Sequence, residues 1–136
     1  MNKRERIAEL AGQFSSEGVD PRYAGYFALF NQQKFYEAHD VLEDLWLPDR
    51  HGPSGNFYKG LIQLAGAFVH LQKNRLQPSA ALFKLARKNL ETYPANYERL
   101  NVTAVLDLIE TWLHGLESEH FKKNPLSTTH FPVVSL

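Results

Sequence analysis

A histidine, a glutamate and a tryptophan stand at His39, Glu43 and Trp46, one helical turn apart in succession. On a helix that turns about 100° per residue, Phe35, Leu42 and Trp46 fall on one line. His39 falls within that apolar stripe and Glu43 lies at its margin. An imidazole among Phe, Leu and Trp is expected to be largely buried, where its ring nitrogens need partners. Glu43 is within side-chain reach of it. A carboxylate buried there is costly unless it gains a cation, a metal or hydrogen-bond donors. The pair must satisfy itself or hold something, and the Trp46 indole N–H is a third polar handle on the same line.

Three chemistries follow. Imidazole and carboxylate ligands on one helical face suit a divalent transition metal, with a second helix completing the sphere. His39 and Glu43 are then the ligands and His70 the third, and a metal-bound water would promote hydrolysis. Without a metal, the same His39 and Glu43 are candidate catalytic acid–base groups in a small-molecule pocket. Its walls would be Tyr36, Trp46 and Tyr58, with Gln63 orienting the ligand. The third reading is structural: His39 and Glu43 lock helix packing in a non-catalytic interaction module. The metal scheme also requires the narrow polar strip of the fourth helix, Lys59, Gln63, His70 and Lys73, to turn toward the third. That strip reads equally as a solvated edge. Asp40, beside His39, points well away from the apolar line on the wheel.

Other chemistries lack their residues. The chain has no cysteine, so disulfides, thiolate nucleophiles and Cys-based zinc sites are excluded. There is no His-Glu-x-x-His, no phosphate-cradling glycine loop and no Gly-x-Ser-x-Gly elbow. Glu117 and His120 have the spacing of a di-iron motif, yet such sites need two copies and two further glutamates.

The elements that carry these residues read as helices nearly throughout. Ile7, Leu10, Ala11 and Phe14 give a first stripe that should stop near Gly18. Asp20 before Pro21 is a helix start, followed by Tyr23, Tyr26, Phe27 and Phe30. Asn31-Gln32-Gln33 turns the chain into a third helix from about Lys34 to Trp46. Pro48, Gly52, Pro53 and Gly55 mark a loop. A long apolar helix from about Ser54 to Asn74 carries Gly66, where a helix or ligand could approach closely. A fifth helix has Pro78 in its first turn, and Asn101 caps a sixth bearing Val102 to Leu116. From about 120 to 136 the chain reads as an irregular tail, with Phe131-Pro-Val-Val set to pack across the bundle or on a neighbouring subunit. Short turns between apolar-faced helices force antiparallel neighbours, so the expected fold is an all-α bundle of five to six helices in one domain, 1–136.

Composition narrows the partners. The 136 residues are 43% hydrophobic and 22% charged, the balance of a folded soluble chain. Fifteen basic and fifteen acidic side chains cancel, so no nucleic-acid partner is expected. Lys84, Arg87, Lys88 and Arg99 read as a solvated face. No apolar run reaches the ~20 residues that cross a bilayer, and the start does not read as a secretory signal; a cytoplasmic, non-membrane protein is expected. Nine Phe, six Tyr and two Trp exceed what a minimal bundle needs, which points to a homodimer or a protein partner.

Phe30-Asn31, then Phe35 through Trp46 with His39, Glu43 and Trp46 at the hallmark spacing, then Phe57-Tyr58-Lys59-Gly60-Leu61-Ile62-Gln63-Leu64-Ala65 and His70 resemble the small bacterial and archaeal family called domain of unknown function 309. The resemblance runs over about 24–92. It implies an all-helical fold and a recurring His39/Glu43/Trp46 constellation. It implies no reaction, metal or substrate. The extended N-terminus and the proline-containing tail depart from the family pattern.

Overall fold

Helix starts are set by side-chain caps. In the computed structural model, which describes residues 1–14 and 18–136, Asn2 and Glu5 form a capping box at the start of α1, Lys3–Gly12. The Asp20 carboxylate accepts the Arg22 backbone N–H at 2.9 Å, and Pro21 occupies the first position of α2, Pro21–Asn31. Gln33, at φ 61°, reverses the chain into α3, Phe35–Trp46. A 3₁₀ turn, Leu47–Asp49, extends α3. Then come α4, Gly55–Gln72, and α5, Leu76–Leu90. Asn101 Oδ1 accepts the Ala104 N–H at 3.0 Å and caps α6, Val102–Ser118. No helix among the described residues is long and apolar enough to cross a membrane.

The all-α architecture stands as expected, with α4 central. Phe68 of α4 meets rings from four helices: Phe30 of α2 at 5.5 Å, Phe35 of α3 at 5.0 Å, Phe83 of α5 at 5.1 Å and Trp112 of α6 at 4.9 Å. Edge-to-face and offset contacts of this kind add to the stabilisation from area burial. The α4–α5 seam is lined by small residues. A Cβ at Gly60 would lie 2.8 Å from Leu90 Cγ, so only glycine allows this approach. Ser79, fully buried, donates its hydroxyl to the Ala67 carbonyl at 2.8 Å across the same seam.

Three features differ from the sequence reading. The first helix ends at Gly12 rather than near Gly18, because Gln13 and Phe14 tighten into i→i−3 bonds. A short hairpin, β1 (Asn96–Tyr97) with β2 (Leu100–Asn101), was not anticipated. Its two turn residues, Glu98 and Arg99, have φ of 48° and 62°, the type I′ geometry that matches strand twist. Its strands are too short to show any period-two pattern. The 3₁₀ turn after Trp46 is the third. The tail packs across the bundle: Val134 is buried, and its backbone N–H and C=O both bond to the Asn31 side chain at 2.8 Å.

Candidate functional site

Helix α3 presents two polar edges beside its buried line of Phe35, Ala38, Val41 and Leu42. His39 sits on one edge with its ring 29% exposed, and Glu43 is 33% exposed. The expected deep burial of His39 is therefore corrected: the apolar line passes beside it. Tyr36, one turn earlier, is 58% exposed and stacks loosely on the imidazole, with centroids 6.4 Å apart.

Asp40 does not point away. Its Oδ1 lies 3.1 Å from His39 Nδ1, while His39 Nε2 faces Glu43 Oε2 at 3.9 Å. The imidazole thus has a carboxylate at each nitrogen. With its proton on Nδ1, His39 donates to Asp40, and Nε2 carries the lone pair on the Glu43 side. That is the orientation in which a carboxylate-held histidine accepts a proton or binds a metal. The wheel missed Asp40 because adjacent residues diverge by about 100°, whereas a short carboxylate beside a tilted ring needs little convergence.

A groove of about 510 Å³ runs along this edge. Asp40, Glu43 and Asp44 of α3 form one side, and Lys3, Arg4 and Ile7 of α1 the other. Leu47, Pro48 and Arg50 close one end. Its charges are paired unequally. Asp44 is held by Arg22 Nη1 at 2.8 Å, and Arg22 also bonds Asp20 at 3.0 Å. This pairing holds the Asp20 carboxyl below its ordinary range. Glu43 meets Lys3 only at 3.5 Å, and the Lys3 side chain is 56% exposed. Arg50 donates to the Leu47 carbonyl at 3.1 Å. Lys3, Arg4, Asp44 and Arg50 carry no motif spacing; the approach of α1 to α3 brings Lys3 and Arg4 to Asp44, and the 3₁₀ turn after α3 brings in Arg50.

The remaining sequence candidates lie elsewhere or play other parts. Gln63 accepts from Asn89 Nδ2 of α5 at 2.7 Å, so it faces the α4–α5 seam. A Cβ on Gly66 would meet Leu82 of α5, so α5 makes the close approach there. His70 lies near Arg75 and Lys73; desolvation first, and then these two charges, push its pKa down. Among the described residues, no group of three or more His, Asp or Glu gathers as a metal ion would need. Asp40 and Glu43 stand at opposite ring nitrogens, so they do not converge on one point with His39. Tyr58 packs edge-on to Tyr23 at 5.8 Å, and burial first pushes its hydroxyl up to about 12. The Trp46 Nε1 is buried and meets no acceptor among the described residues.

The arrangement is a helical scaffold with a charged groove beside a carboxylate-flanked histidine. Residues 23–82 match the model of the family described as domain of unknown function (DUF309), so the resemblance in the sequence holds over α2, α3, α4 and the first part of α5. A protein of Aquifex aeolicus (strain VF5), described as uncharacterized, is 27% identical over 81 residues. That stretch is 60% of this chain but 24% of the relative, so the chain spans about a quarter of the curated relative it matches. No solved structure matches the chain. The α3 side of the groove lies inside the family match, and α1, its opposite wall, lies outside it.

Proposed function

We propose that this chain binds a small ligand carrying both charges in the α1–α3 groove, with His39 as the proton-holding group at its edge. The observation that supports this reading most is the incomplete pairing of Glu43 beside an imidazole already oriented by Asp40. A ligand ammonium would displace Lys3 from Glu43. An anionic group would meet Arg50, and an apolar body would lie on Ile7, Leu47 and Pro48. Exposed ion pairs contribute only ~0.2–1 kcal/mol, so exchanging Lys3 for a ligand cation costs little. Leucine is the probe, with leucinamide and 4-methylpentanoate as its single-charge counterparts. Calorimetric titration is expected to show leucine binding more tightly than either. No heat from any of the three up to about 10 mM, where even weak sites fill, would remove this reading.

A metal form of the same site would rest on two side chains, His39 and Glu43, whose Nε2 and Oε2 lie 3.9 Å apart; they would hold a divalent ion that supplies Lewis-acid chemistry. Zinc binding lost in both His39→Ala and Glu43→Ala would carry it, and water activation would then make the site hydrolytic. Zinc binding that survives both substitutions would remove it.

A further inference from the structure

The tail is fastened to the bundle at a few separate points. Asn124 Nδ2 donates to the Leu71 carbonyl at 2.6 Å. His130 stacks on Trp112 with centroids 4.6 Å apart and planes within 12°. Its Nδ1 donates to the Pro125 carbonyl at 2.7 Å, which fixes the tautomer. Asn31 reads both backbone groups of Val134, as a neighbouring strand would. None of these contacts requires the tail to belong to the same chain.

The connection to α6 is strained. His120 and Phe121 are consecutive non-glycine residues at φ 52° and 59°. They close the helix with Phe121 N–H on the Leu116 carbonyl and His120 N–H on the Glu117 carbonyl, a turn that usually places glycine at its left-handed position. Each such residue is disfavoured by a factor of about ten. Straightening this turn would release both residues and carry the tail off the bundle. Strained hinges followed by a separable segment are the setting for exchange between copies.

We propose that segment 122–136 is exchanged between two copies of this chain, each tail docking on the other copy's Asn31, Leu71 and Trp112. The docking contacts of Asn124, His130 and Val134 are the same in both forms. The balance therefore lies between relief of the two left-handed residues and the loss of tethering and of the His120 and Phe121 turn bonds. A short tether supplies an effective concentration in the millimolar range, which places exchange at high protein concentration. The proposal does not rest on the groove.

The test is light scattering on the full chain up to about 1 mM, warmed toward its melting transition and cooled slowly. A dimer that grows with concentration and dissociates slowly on dilution is expected. His120→Gly, which accepts the left-handed conformation without strain, is expected to lower the dimerisation constant at least about tenfold while the circular dichroism of the fold is kept. A monomer at every concentration overturns the proposal. So does a dimer whose constant is unchanged by His120→Gly, because it would use another face.

Discussion

The α4–α5 seam and the α3 edge treat polar groups in opposite ways. In the seam, the Ser79 hydroxyl is fully buried and bonds at 2.8 Å. Nearby, the buried Tyr26 hydroxyl donates to the Leu61 carbonyl at 2.6 Å. At the α3 edge Asp44 and Asp40 keep contacts of 2.8 and 3.1 Å, but those of Glu43 lengthen to 3.5 Å with Lys3 and 3.9 Å with His39, among groups about a third exposed or more. Short, buried, fully used bonds belong to folding. Long, half-wet pairs beside a groove keep capacity for something else. On the proposed reading, the contrast separates residues that hold the bundle from residues that bind the ligand.

Substitutions sharpen this contrast by size. Phe68→Ala removes the ring that joins four helices and is expected to cost ~3–5 kcal/mol in urea unfolding. Gly60→Ala pushes a methyl against Leu90 and should cost ~1–3 kcal/mol, outweighing the helix propensity it gains. His39→Ala and Glu43→Ala are each expected to cost less than ~1 kcal/mol. A loss of ~3–5 kcal/mol, the cost of breaking a buried pair, would erase the contrast and make this edge a packing device. The smallest effect is the acid limb at His70. Its pKa is lowered from 6.5 by burial, then by Arg75 and Lys73. The unfolded chain therefore binds the proton more readily, and stability is expected to fall slightly as pH drops through 6.5 toward the folded value. His70→Gln should flatten that part of the melting-temperature profile.

Residue patterns announced the helices because burial of one face imposes the helical period on Tyr23, Tyr26 and Phe30 and on Val105, Ile109 and Leu116 alike. Caps at Asp20 and Asn101 announced the boundaries. The β1–β2 turn was illegible because Glu98 and Arg99 hold left-handed backbone without glycine, pinned by the Tyr23 hydroxyl on the Glu98 carbonyl at 2.8 Å. At the site, the spacing of His39 and Glu43 placed them on one edge. Asp40, Lys3 and Arg50 stayed hidden, since their roles come from ring tilt, from the approach of α1 and from the 3₁₀ turn after α3. The rotation of α4, which sends Gln63 to Asn89, depends on how Gly60 and Gly66 seat against α5.

The most direct test is the leucine affinity of Glu43→Gln, which removes one charge and keeps the side chain's shape. The account requires unchanged unfolding stability and an affinity at least about tenfold weaker, as expected for loss of one charged hydrogen-bonding partner. Equal affinity in the two proteins, or no binding by the parent chain, would contradict it.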